Sequence, residues 1–206
     1  KGSGMIHPDM ATMLAVVATD VPVRPEALDG LLRRAVEVSF HEITVDGDTS
    51  TNDAVLLWGG AGDGPPLTEG DPRLPALEAA VTEVMQHLAG EIVRDGEGAS
   101  RVMVLHVRGG ADQEQARRVA DAVVRSALVK TALAGGDPNW GRILAAAANA
   151  GVALELERMT LDIGGIRVHG GGLPLEVDQA EVDAAFSRKE VLVELDLGAG
   201  EGTARR

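Results

Sequence analysis

Apolar and polar positions switch between two periods along this chain, and the switches mark out a succession of strands and helices. Residues 12–19, Thr-Met-Leu-Ala-Val-Val-Ala-Thr, form a continuous apolar run between Pro8 and Asp20, which predicts a buried strand. Leu28, Leu31, Leu32, Ala35 and Val38 then recur at helical spacing behind Pro25, a good first-turn residue. A short strand is expected at 43–45, a polar turn at 46–53 and a second apolar run at 54–58. Residues 59–72 hold five glycines and three prolines among fourteen positions, which predicts a surface loop. Leu77, Val81, Val84, Met85, Leu88 and Ile92 share one face of a helix expected over 74–93.

The second half repeats the alternation. A strand is expected at 102–107 and a helix at 112–128, with Asp112 as its cap. An Ala-rich helix follows over 139–150, capped by Asp137 or Asn139. Leu161-Asp162-Ile163 and Ile166-Arg167-Val168 flank Gly164-Gly165, the signature of a hairpin. A short helix at 178–186 and an alternating strand at 190–197 complete the pattern, with the last residues after Gly200 left unassigned. Alternation of this kind predicts a mixed α/β protein. The expected division is a core over 1–110 and a smaller α/β subdomain over 111–206.

Composition narrows the function. Of 206 residues 32 are acidic and 19 basic, a net charge of −13, which argues against binding nucleic acid. The four aromatic residues, Phe40, Trp58, Trp140 and Phe186, offer no platform for stacking bases. Without cysteine there is no disulfide, thiolate metal site or cysteine nucleophile, which fits a cytoplasmic protein. No apolar run approaches the roughly 20 residues of a membrane span. The start at Lys1 lacks the apolar stretch of a signal peptide and has no initiator methionine, as expected of a fragment or a processed product.

Most motif candidates fail on inspection. Asp46-Gly47-Asp48 opens like a calcium loop, but Thr51 stands where glycine is needed and Leu57 where glutamate is needed. Gly96-Glu97-Gly98 lacks the third glycine of a dinucleotide fingerprint, with Arg101 in its place. The five histidines show no ligand spacing, so no metal is expected. No Gly-x-Ser-x-Gly elbow occurs. Three glycine-bordered polar segments remain: residues 1–12, residues 94–100, and Lys130-Thr131-Ala132 followed by residues 135–142. Singly, each reads as a turn with a helix cap.

Together and in this order they resemble the ornithine acetyltransferase family, the glutamate N-acetyltransferases of arginine biosynthesis. Four blocks carry the resemblance: residues 1–14, Asp46-Gly47-Asp48-Thr49-Ser50-Thr51-Asn52-Asp53, Asp95-Gly96-Glu97-Gly98-Ala99, and Asp137-Pro138-Asn139-Trp140-Gly141-Arg142, the last being the most specific. The resemblance covers essentially the whole chain and corresponds to the family's β chain with a short preceding segment. An α chain and a C-terminal tail that the family possesses would lie outside this sequence, and Ser100 stands where the family more often has threonine.

What the resemblance implies is specific, beginning with the fold: a layered α/β sandwich of the self-cleaving Thr-nucleophile type, with Thr12 opening a central strand. A precursor would cut itself at Ala11–Thr12 through attack of the Thr12 hydroxyl on the Ala11 carbonyl. The freed α-amino group, with an ordinary pKa of about 7.7–8.0, would then serve as base for its own hydroxyl. Thr12 would carry the acetyl group from N2-acetylornithine to glutamate by a ping-pong route, with oxyanion donors supplied by the α chain. Lys1 and Glu97 would bind substrate together with Thr12, Glu97 taking the amino group of ornithine. Asp48, Thr49, Asn52, Asp137, Asn139, Trp140 and Arg142 match the motifs, with structural roles expected and Trp140 expected to be packed. No bound cofactor is implied, acetyl-CoA being a second acetyl donor in bifunctional members. The implied assembly is an α2β2 heterotetramer. A Thr-nucleophile amidohydrolase or aminopeptidase is the alternative activity, and a non-catalytic half of an assembly is a third reading.

Overall fold

The computed structural model describes residues 2–7 and 13–206. By its internal contacts the chain divides into two compact units, residues 1–97 and 98–206.

The first unit is built on a two-stranded parallel sheet. Strand β1, Leu14–Ala18, pairs with β2, Ala54–Trp58, in the register Leu14 with Ala54 through Ala18 with Trp58. Between them run helix α1, Pro25–Glu37, and a 3-10 turn at Phe40–Glu42. Helix α2, Leu74–Arg94, follows the Gly/Pro-rich loop. Proline in the first turn starts both helices. Ala27, Leu31 and Ala35 of α1 and Val81, Met85 and Ala89 of α2 form the core with Ala15, Val17, Leu57 and Phe40. Each helix thus buries the stripe that its sequence period selects.

Three expectations change in this unit. Residues 12–19 read as a strand buried on both faces, yet β1 buries only Ala15 and Val17 and exposes Leu14 and Val16. Leu14 is 82% exposed and Trp58, on the same sheet face, 62% exposed. The helices cover one side of the sheet, and nothing among the described residues covers the other. Among the described residues β1 pairs with β2 alone, so the central position expected for it is not seen there. Residues 43–45 form no strand either. They run beside the N-terminal segment, with the Val45 N–H donating to the Ile6 carbonyl at 2.8 Å.

The second unit holds a six-stranded mixed sheet in the order β6-β5-β4-β7-β3-β8. Its strands are β3, Val102–Gly110; β4, Thr160–Ile163; β5, Ile166–Gly170; β6, Leu173–Pro174; β7, Glu190–Asp196; and β8, Gly202–Arg205. β3 and β7 are parallel and every other pair is antiparallel. Helices α3, Gln113–Arg125, α4, Ala127–Gly135, α5, Gly141–Ala148, and α6, Gln179–Phe186, complete it. α3 lies against β3 and β8, and α6 against β4, which gives the layered α/β arrangement. Leu105, Val107, Leu161, Ile163, Val193 and Leu195 from the sheet meet Val119, Val123, Ile143 and Phe186 from the helices in a dry core.

The expected division near residue 110 falls at the far end of β3. The contacts instead divide the chain at Glu97/Gly98, because β3 is hydrogen-bonded on both sides to strands of the second unit. The expected helix over 112–128 ends at Arg125, and Ser126 starts a separate helix by accepting from the Val129 N–H at 3.4 Å. Asp112 caps α3 through the Gln115 N–H at 2.7 Å, as expected. Neither Asp137 nor Asn139 caps α5. Trp140 occupies that place without a side-chain bond, because the turn from Asp137 uses its own backbone groups locally. The residues after Gly200 form β8, whose polar sequence carries no period that would announce a strand.

Candidate functional site

The site is assembled in the first unit from three pieces with little regular structure: the N-terminal strip 2–7, the acidic loop 43–53 and the turn 95–97. Lys1, Ala11 and Thr12 lie outside the described residues, so the geometry concerns what adjoins them.

The strip is stitched to the turn on one side. The Ser3 N–H donates to the Asp95 carbonyl at 2.7 Å, and the Glu97 N–H donates to the Ser3 carbonyl at 2.9 Å. The Ser3 hydroxyl donates to the Ile92 carbonyl at 2.7 Å, tying the strip to the last turn of α2. Gly2, bonded to Lys1, is pressed against this turn. A Cβ there would sit 2.6 Å from the Asp95 carbonyl oxygen and from the Glu97 backbone. Only glycine permits so close an approach. The resemblance gives Lys1 and Glu97 each as substrate-binding, and of the two the structure describes Glu97, whose backbone packs against Gly2. Glu97 itself is solvent-exposed.

The acidic loop grips the strip from the other side. Asp46 accepts from the Met5 N–H at 2.5 Å, the Ile6 N–H at 3.2 Å and the Asp48 N–H at 3.1 Å. Successive N–H groups of this kind form a small anion-binding nest, and Met5 adopts the left-handed φ of 57° that opens it. Partial burial pushes the Asp46 carboxyl up, but the N–H donors of Asp48, Met5 and Ile6 outweigh it, and the group is held below its ordinary value of 3.8. The Thr44 hydroxyl and the Val45 N–H both donate to the Ile6 carbonyl. Asp46 Oδ2 and Glu97 Oε2 lie 3.6 and 3.8 Å from where a Cβ on Gly4 would stand. Two carboxylates therefore converge on the Gly4 backbone, a setting suited to a cationic group.

At its far end the loop holds the start of β1. Asp53 Oδ1 accepts from the Met13 N–H at 2.8 Å, and the Ala54 N–H donates to the Met13 carbonyl at 3.0 Å. The Met13 side chain is buried in the core. The residue that follows Thr12 is thus held at its N–H, its carbonyl and its side chain. Asp48, Thr49 and Asn52 are exposed, and the Asn52 N–H donates only within the loop, to Ser50 Oγ. Asp46 and Asp53, which make the long-range bonds, escape a reading by motif. The sequence signal was present as acidic residues bracketing a polar run, but residue type does not say which of them turn inward.

The Asp137–Arg142 block lies in the second unit and is described there. Gly136 ends α4 with a left-handed φ of 67°. The Arg142 guanidinium donates to the Leu128 carbonyl at 2.9 Å and to Thr131 Oγ1 at 3.1 Å, bracing α4 against α5. Trp140 is half-buried against the core, its ring 6.1 Å from that of the buried His169. Among the described residues no group of three His, Cys, Asp or Glu side chains could hold a metal, and no helix is long and apolar enough to cross a membrane.

Fold and site define a two-unit mixed α/β protein whose first strand is clamped directly behind an N-terminal segment held between acidic loops. A family model described as the ArgJ family matches residues 1–206, and the chain belongs to that family. It is 48% identical over 202 residues to the arginine biosynthesis bifunctional protein ArgJ of Thermus thermophilus, covering 98% of this chain and 51% of that protein. The ArgJ protein of a Synechococcus strain is 45% identical over 212 residues, with 98% and 51% covered. The crystal structure of the ArgJ protein from Bacillus halodurans superposes with a TM-score of 0.88 at 35% identity, covering 94% of this chain and 92% of that one. The chain spans about half the length of the curated relatives it matches.

Proposed function

We propose that the chain supplies the nucleophile-bearing part of an acetyltransferase of arginine biosynthesis, with Thr12 as the group that carries the acetyl. The observation that carries this reading is family membership over residues 1–206, with relatives named as arginine biosynthesis bifunctional proteins. The clamp on Met13 supports it, because a chain end created at Thr12 would otherwise fray.

The chemistry follows from the residue types. The Thr12 α-amine takes the proton of the Thr12 hydroxyl as Oγ1 attacks the acetyl carbonyl of N2-acetylornithine. The tetrahedral intermediate collapses, the C–N bond breaks, and the departing ornithine amine takes the proton. Glutamate then attacks the acetyl ester through its neutral amine. Its surplus proton returns to Thr12 Oγ1 as the ester C–O bond breaks, and N-acetylglutamate leaves. Acetyl-CoA would load Thr12 by the same attack, with the thiol as leaving group. Lys1, as a point charge, binds a substrate carboxylate, and Glu97, whose carboxylate converges with that of Asp46 beside Gly4, receives the amino group of ornithine. No bound cofactor or metal takes part.

The partner in this reading is the remaining half of the same protein, an α chain that brings the oxyanion donors, in an α2β2 assembly in the cytoplasm. The bare sheet face carrying Leu14, Val16, Leu56 and Trp58 supports such a partner, since so contiguous an apolar patch is the mark of an interface. Intact-mass measurement of the full-length gene product tests the reading. The wild type is expected as two chains, one beginning at Thr12, and Thr12→Ala as one chain without acetyl exchange between acetylornithine and glutamate. Exchange that survives Thr12→Ala would overturn it, and acetate release independent of glutamate would make the protein a hydrolase.

A further inference from the structure

Ser3 makes three hydrogen bonds to one short stretch of chain. Its N–H donates to the Asp95 carbonyl at 2.7 Å, its carbonyl accepts from the Glu97 N–H at 2.9 Å, and its hydroxyl donates to the Ile92 carbonyl at 2.7 Å. The two backbone bonds straddle Gly96, which pairs with Ser3 in a parallel bridge. The strip thus joins the turn as an added strand joins a sheet edge. On its other side the turn continues α2, with the Asp95 and Gly96 N–H groups donating to the Glu91 and Val93 carbonyls at 3.0 and 3.1 Å. Met85 and Ala89 fix α2 in the core. The next N–H along, that of Glu97, is the one that Ser3 holds.

The strip has no room to slide. Asp46 grips its far end at the Met5 and Ile6 N–H groups, and the Ile6 side chain is buried. At its near end Gly2 lies so close to the turn that a Cβ would stand 2.6 Å from the Glu97 Cα and N. A side chain at residue 2 would force strip and turn apart and move Glu97 with them. Glu97 is solvent-exposed, so the placement of its carboxylate follows the placement of its backbone.

We propose that Gly2 and Ser3 are positioning residues for Glu97: they dock the strip onto the 95–97 turn and so aim the carboxylate that receives the amino group of ornithine. This rests on the role given to Glu97 above. Once the chain is cut at Ala11–Thr12, the strip and Glu97 belong to different chains, and one chain sets the substrate affinity of the other. Both residues act on binding, before any bond is made or broken, so their signature belongs in KM rather than kcat.

The test uses the full-length protein, both halves included, in acetyl exchange between acetylornithine and glutamate. Gly2→Ala, Ser3→Ala, Ser3→Thr and Glu97→Gln are compared with wild type, and the first two are also combined with Glu97→Gln. Gly2→Ala is expected to raise the KM for acetylornithine about tenfold or more with kcat within about threefold, and Ser3→Ala to raise it about fivefold. Ser3→Thr keeps the hydroxyl and is expected within about twofold of wild type. The decisive reading is the coupling. A residue that acts through Glu97 has nothing left to disturb once that carboxylate is gone, so each double variant should match Glu97→Gln within about twofold, whereas a general loosening of structure multiplies the two effects. Multiplied effects, or wild-type KM values for both Gly2→Ala and Ser3→Ala, overturn the proposal. If Gly2→Ala fails to fold or to cleave, the Ser3→Ala cycle decides by the same criteria. A Glu97→Gln variant with wild-type KM overturns the role of Glu97 and this proposal with it. Failure of the nucleophile assignment shows differently, as acetyl exchange that survives Thr12→Ala.

Discussion

A single carboxylate decides the course of the N-terminal strip. Asp46 neutralises two successive donors, at Met5 and Ile6, and offsets the strain of a methionine at φ 57°. Its pKa is held below 3.8 in the fold by those N–H groups. A carboxyl lowered on folding stabilises the ionised folded state. That contribution is complete above the ordinary value and vanishes as pH falls below 3.8 through the lowered one. Asp46→Asn is therefore expected to cost about 1 kcal/mol at pH 7 and to flatten the acid limb of stability, read by urea unfolding between pH 7 and pH 3. Nothing in the residue order distinguishes Asp46 from Asp48, two positions on. Their roles part because the strip 2–7 crosses the loop at one and not at the other.

At the level of elements, turn chemistry did the specifying. The β4–β5 hairpin turns on Gly164 and Gly165, with φ of 58° and 88°, the pair of left-handed residues that a two-residue turn of this hand requires. A Cβ on Gly164 would also stand 2.8 Å from the Ala185 Cβ of α6. Gly164→Ala is expected to destabilise the protein by about 2–3 kcal/mol, from the left-handed backbone and the contact together, measurable by denaturant unfolding. This hairpin, the helices at 25–37, 74–94 and 113–125, and the strand at 190–196 were all legible, because each carries its own period or cap. Strand β8 was not legible. Its four residues are a strand only because β3 offers them an open edge.

On the scale of the molecule, the two-stranded sheet is the unfinished part. Two parallel strands with one face uncovered among the described residues do not make a self-sufficient layer, since parallel sheets occur covered on both sides. If an α chain docks as proposed, that face is where it is expected to meet this one. Val16→Asp with Leu56→Asp is expected to dissociate them, read as loss of the αβ species in native mass spectrometry. Helix content should be unchanged, because both side chains point away from the core. An intact assembly with this double variant would place the interface elsewhere.

The alternation of periods, the glycine pairs and the capping residues are local properties, so the linear order of residues by itself determined the class of fold, most elements and the family blocks. Other features arise only when distant segments close on one another: which face of β1 is buried, why β3 belongs with residues 98–206, and which acids of the 46–53 loop reach Met5 and Met13. Asp53 lies forty residues from the backbone group it holds. Local propensity carries no information at that range. The pairing of β1 with β2 is what brings Asp53 to Met13, and so only the tertiary structure reveals which carboxylate holds the start of β1.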